Sequence, residues 1–370
     1  MAQNMKEAAA ANAPFSDEEL AAAIGSLKRL LTPDSQGDID WVSLRALYAE
    51  RAHLSHKDWT QTEASAATLA SIIGTPDSPV FQTMFARVLE DGNWKGAAQR
   101  PEASGKPWIV LVTGLNGIRK TTSIYQPWWK QVLQQALASQ FRGEAAELPA
   151  GTDSFFRQLD YMIATLALEQ FQTLYGLGDD VELYAEFKAA IFARYRTVAE
   201  MLGILLCKCA QRRGLNVMVE TSGRDVGMFK YVDHVFPGGA YRKLVVHFAI
   251  NDISFAERSV DARMLDEMRR GSVAVEHADR DPLALVRANA GGPYGSKVLA
   301  GVLADGERVW KSVVDGEALG DAGDAWLKAS ISIQASDIVP WRAMAASSAG
   351  ASIVAGVEAA SHDEFEFAPL

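Results

Sequence analysis

Residues 106 to 122 read Lys-Pro-Trp-Ile-Val-Leu-Val-Thr-Gly-Leu-Asn-Gly-Ile-Arg-Lys-Thr-Thr: a continuous apolar, β-branched run, then a glycine turn, then Lys-Thr-Thr. A run of this kind suits a strand buried on both faces, which commits the chain to a sheet covered by helices. The turn reads as a phosphate-binding loop. Glycines let backbone N–H groups curl around phosphates, a lysine neutralises the oxygens, and the next hydroxyl holds Mg²⁺. Those roles fall to Gly114, Gly117, Lys120 and Thr121, with Asn116, Arg119 and Thr122 completing the loop. The usual G-x-x-x-x-G-K-[ST] spacing has glycine just before the lysine, and here Arg119 stands in that place. The arginine either crowds the phosphate or adds a cation to it.

Upstream, Ser16-Asp-Glu-Glu starts a helix with a capping box, and helical patterns follow over 41–52, 59–73 and 80–89. A Gly/Pro/Ser-rich linker, 96–107, ends this helical region, so the boundary is placed near residue 104. Beyond it, the patterns predict a helix from Thr121 to Leu137, a short strand and loop over 145–153, and helices over 155–175 and 181–213. Strands are expected at 216–220, 241–250 and 330–334, and helices at 254–270 and 296–314. Helix and strand in alternation imply an α/β domain with a mostly parallel sheet over 105–345. The small-residue tail, 346–370, is expected to be flexible.

The net charge of −10 argues against a general nucleic-acid or membrane surface, so phosphate binding is expected to be local. Cys207 and Cys209, the two cysteines, sit two apart on a helical pattern and suit neither a disulfide nor a shared metal. One is expected in the core and the other partly exposed. So few cysteines, no run of about 18 apolar residues and no secretory leader pattern point to the cytoplasm. The helical N-terminal region is a candidate docking surface for a protein partner.

Ligands of open α/β sheets bind beyond the carboxyl ends of strands. Asp153 is there a candidate base for an attacking hydroxyl, or else the N-cap of a helix starting at Phe155. Arg157, one turn on, could hold a substrate anion or be solvated. Glu220 closes an apolar strand beside Thr221-Ser222-Gly223-Arg224; it suits a water-bridged Mg²⁺ or substrate hydroxyls, with Ser222 and Arg224 assisting, or a simple pair with Arg224. Arg258, Arg263, Arg269 and Arg270 could neutralise a transferring phosphoryl group from a helical lid, although charged helix residues are more often solvated. Trp128 and Trp129 could stack on a base but suit the core. His234 and His247 show no metal-ligand spacing.

With its phosphate loop, its Asp and Arg near a second strand, its Glu-x-Ser-x-Arg turn and its lid arginines, the chain resembles a P-loop kinase of the zeta-toxin and chloramphenicol-phosphotransferase-like group over roughly residues 106–335. Arg157 comes one position late for that pattern. The resemblance implies a three-layer P-loop sandwich and transfer of the γ-phosphoryl group of ATP, with Mg²⁺, to a hydroxyl of a small molecule. It implies catalytic roles for Lys120, Asp153, Arg258 and Arg263, substrate contacts from Arg157, Glu220, Ser222 and Arg224, and a metal ligand in Thr121. The same loops also echo GTPases of the signal-recognition-particle type, without their Thr-Lys-x-Asp for guanine. A third alternative is a P-loop module that binds nucleotide and has lost catalysis through Arg119.

Overall fold

The computed structural model describes residues 2–99, 105–178, 180–319, 326–334, 342–348 and 351–353. Its centre is the strand anticipated from the apolar run, β1 (Trp108–Gly114), in which every residue is buried. Around it lie β2 (Ser154–Arg157), β3 (Asn216–Glu220), β4 (Arg242–Ile250) and β5 (Trp326–Gln334), in the order β2-β3-β1-β4-β5 and all parallel. A hairpin of β6 (Arg342–Ser348) and β7 (Ala351–Ile353) continues the sheet antiparallel beyond β5. These two strands occupy part of the stretch read as a loose tail; residues 354–370 lie outside the described residues.

Chain order reverses around β1. The chain leaves β1 for the edge strand β2, returns to β3 on one side of β1, and then passes to β4 on the other. The turn after β1 is therefore at the topological switch point, where open sheets bind ligands.

Several helices follow the sequence pattern closely. The capping box forms around Ser16 and Glu19 at the head of Asp17–Lys28, and Trp41–Arg51, Trp59–Ile73 and Val181–Arg212 fall where periodicity puts them. The strand read over 145–153 is instead two 3₁₀ turns, Ala145–Glu147 and Gly151–Asp153, and the helix read over 80–89 is two, Pro79–Met84 and Ala86–Asp91. Three further expectations are corrected. The helix after the loop breaks into Lys120–Ile124 and Trp129–Leu137, because Pro127 disfavours helix at the residue before it. Residues 155–157 are strand, and the helices Leu159–Leu166 and Leu168–Tyr175 begin after them. The buried pattern over Phe155 and Phe156 suits a short inner strand as well as a helix, and periodicity alone does not separate the two. The third concerns the cysteines, since Cys207 and Cys209 are both buried.

The chain forms two compact units that interleave along the sequence. One contains 1–92, 157–212 and 261–295; the other contains 93–156, 213–260 and 296–370. Within the helical unit, buried ion pairs tie the separate segments together. Arg194 reaches Glu19 at 2.7 Å and the Ala13 and Pro14 carbonyls, and Lys188 holds both carboxylate oxygens of Glu267 at 2.7 Å. Tyr184 and the Ala290 N–H also donate to Glu267, so the carboxylate is fully engaged although 1% exposed. Among the described residues no helix is long and apolar enough to cross a membrane.

Candidate functional site

Within the sheet unit, the ends of three neighbouring strands bring the site together. Register places Glu220 of β3 opposite Val112 and His247 of β4 opposite Thr113, so β1 ends between a carboxylate and an imidazole. The loop that follows uses left-handed backbone at two glycines. Gly114 has φ 129°, and a Cβ there would collide with the Phe248 carbonyl. Gly117 has φ 83°, and its Cβ would lie 2.7 Å from Val260 and 2.8 Å from the Ala256 carbonyl. Arg119 adopts the same region, with φ 61° and ψ 31°.

Lys120 turns back into the loop. Its ammonium donates to the Leu115 carbonyl at 2.8 Å and lies 3.1 Å from Glu220 Oε1, with only 3% of the residue exposed. Thr121 donates its hydroxyl to Glu220 Oε2 at 2.6 Å. One carboxylate thus holds both the lysine and the hydroxyl. On the other flank, His247 Nδ1 lies within hydrogen-bond distance of Thr113 Oγ1, at 3.1 Å, and its ring stacks on Trp310 at 4.8 Å and 10°. Burial, with Lys120 nearby, lowers the imidazole pKa to about 4, so the ring is neutral at pH 7. The sequence shows His247 only as a polar residue inside an apolar strand without metal-ligand spacing, and gives no sign that it joins this site.

The remaining candidates divide. Ser222 and Arg224 follow Glu220 in the turn after β3, with Ser222 half-buried and Arg224 exposed. Asn116 is in the loop with its Oδ1 buried and unbonded, and Thr122 is exposed. Arg258 is exposed and bonded to Ser254 Oγ at 3.1 Å, 4.0 Å from Asp252. Arg263 and Arg157 fall in the helical unit, where Arg263 lies against Gly291 and Arg157 is buried in an ion pair with Glu200. Arg269 is exposed and Arg270 pairs with Asp266 at 2.9 Å. Trp129 is core, stacked on Phe248 at 5.8 Å.

Asp153 is at the wrong end of the sheet for a catalytic base. It precedes β2, and its carboxylate pairs with Lys130 at 2.7 Å, accepts from the Ala150 N–H and lies 3.3 Å from the Asn216 amide at the start of β3. Five residues of strand, about 13 Å, separate that end from Glu220. Nor does it cap a helix at Phe155, which is strand.

The donors at the carboxyl end suit a hard cation. Mg²⁺ keeps several waters and needs only one or two protein oxygens, which Thr121 and Glu220 would supply. Among the described residues no cluster of three or more His, Cys, Asp or Glu offers a protein-only metal cage. In the helical unit, a trough of about 400 Å³ between Trp41–Arg51 and Trp59–Ile73 is lined by Ser43, Glu50, Arg51, Gln61 and Thr68; it gathers no comparable set of catalytic groups. Comparison with known proteins gave no match to any family model, curated protein or solved structure.

Proposed function

We propose that the chain is an ATP-dependent phosphotransferase that moves the γ-phosphoryl group to a hydroxyl of a small molecule. The observation that carries this is the joint hold of Glu220 on Lys120 and Thr121 at the switch point of a parallel sheet. A lysine, a hydroxyl and a carboxylate on adjacent strand ends are the groups needed to bind the phosphates and the metal of a nucleotide. Mg²⁺, when bound, neutralises charge on the phosphoryl oxygens. Lys120, once released by Glu220, would bind the same oxygens, and Thr121 and Glu220 would hold the metal. Ser222 and Arg224, in the turn after Glu220, would meet the substrate, whereas Asp153 serves the opposite end of the sheet as a structural clasp. The lack of a Thr-Lys-x-Asp element for guanine supports ATP over GTP as the donor.

The test is transfer of labelled γ-phosphate from ATP to a panel of small alcohols, sugars and nucleosides, with and without Mg²⁺. Magnesium-dependent labelling of an acceptor that Lys120→Ala and Glu220→Gln each reduce by about 100-fold is expected, the scale of losing one electrostatic contact to the transition state. Labelling unaffected by these changes would place the chemistry elsewhere, and tight Mg-ATP binding with no transfer to any acceptor would favour a nucleotide-binding module.

A further inference from the structure

Arg119 occupies backbone that resists it. Its φ of 61° lies in the left-handed region, which only glycine enters without penalty, and the residue that usually stands there is glycine. Its guanidinium is half-buried, and the partner it has is the Phe255 ring, 5.8 Å from the centroid. No carboxylate lies within ion-pair distance of it among the described residues. The buried arginines elsewhere differ: Arg87, Arg157 and Arg194 each meet a carboxylate. Desolvation lowers the Arg119 pKa, as befits a cation withdrawn from water without a compensating anion. Lys120, the neighbouring cation, is already shared with Glu220 and the Leu115 carbonyl. The loop therefore holds one committed and one uncommitted positive charge, beside an Asn116 whose Oδ1 is also unbonded.

Resting on the nucleotide site proposed above, we infer that Arg119 is a phosphate-binding residue, its guanidinium bonding the same polyphosphate chain that Lys120 contacts. A planar guanidinium can hold two phosphate oxygens at once, which suits it to replace backbone contacts that a glycine there would allow. Strain and desolvation in the free protein are offset when the anion arrives. Arg119 is thus a working substitute for the glycine rather than a lesion in the loop.

The experiment is calorimetric titration of the full-length protein with the Mg²⁺ complex of a non-hydrolysable ATP analogue and, separately, with inorganic tripolyphosphate. Arg119→Gly, Arg119→Gln and Arg119→Lys are compared with the unaltered protein, each alongside a thermal melt. Arg119→Gly and Arg119→Gln are expected to weaken binding by about 10-fold or more, and Arg119→Lys by less. At the same time Arg119→Gly should raise Tm by about 2 °C, because the strain is relieved. Weaker binding by a more stable protein separates loss of a ligand contact from loss of fold. Arg119→Gly binding as tightly as the unaltered protein, or more tightly, would overturn the inference while leaving the nucleotide site standing. Failure of the unaltered protein to bind either ligand would remove the site and the inference together. Binding of tripolyphosphate alone, weakened in Arg119→Gly, would uphold Arg119 and overturn the nucleotide assignment.

Discussion

Glu220 accepts from two groups that a ligand would claim, so its substitution separates metal binding from phosphate binding. Glu220→Gln keeps the side-chain shape and weakens the hold on Lys120. Affinity for metal-free ATP should rise or hold, while the gain in affinity on adding Mg²⁺ should shrink by about 10-fold, measured by paired titrations. An unchanged gain would show that Glu220 does not serve the metal. His247 makes a prediction about pH. Its folded pKa is depressed to about 4, so the unfolded chain takes up the proton first, with an ordinary pKa near 6.5. Stability is then fully present above about pH 6.5 and is lost as pH falls toward 4, by up to about 3 kcal/mol. Denaturant melts between pH 4 and 7 should show a shallower slope for His247→Gln; equal slopes would contradict the assignment. Lys120, Thr121 and Glu220 were legible in the sequence because each sits beside a strand end. His247 was not, since only its register opposite Thr113 brings it to the same place.

Among the elements, β1, β3 and the capped helix Asp17–Lys28 were legible because burial, turn residues and caps all agree there. β2 was not. Four residues carry no period of their own, and a helical pattern follows them directly, so Asp153 was assigned to the wrong end of the sheet. Its actual work is local: Asp153 and Asn216 join the turn before β2 to the start of β3, and Asn216 Oδ1 accepts from the Trp108 N–H at the start of β1. Asn216→Ala strands that buried N–H and should destabilise the fold by about 1–3 kcal/mol. Asp153→Asn should also lower stability. Both should leave Mg-ATP affinity within about twofold, read by melts and titration on the same samples. A collapse of phosphoryl transfer in Asp153→Asn at unchanged stability would restore Asp153 as the base.

At the scale of the molecule, interleaving was illegible in the sequence because 157–212 and 261–295 return to the unit that 1–92 begins, and no linker or change of composition marks the return. Glu19 lies in the first segment and its partner Arg194 in another, with Lys188 and Glu267 linking that second segment to a third. Glu267→Gln would leave the buried Lys188 ammonium without a carboxylate and should destabilise by about 3–5 kcal/mol, seen as a lowered Tm. A fragment spanning 93–370 would lack the apolar faces of Leu27, Leu44 and Leu69, all essentially buried, and should lose cooperative unfolding of the helical segments it retains. The central claim is that the turn after β1 binds the phosphates of a magnesium nucleotide. Its most direct test is calorimetric titration of the full-length protein with a non-hydrolysable ATP analogue, with and without Mg²⁺, beside Lys120→Ala. Magnesium-dependent binding lost in that variant, with its melt intact, is the expected result; binding that survives the substitution would contradict the account.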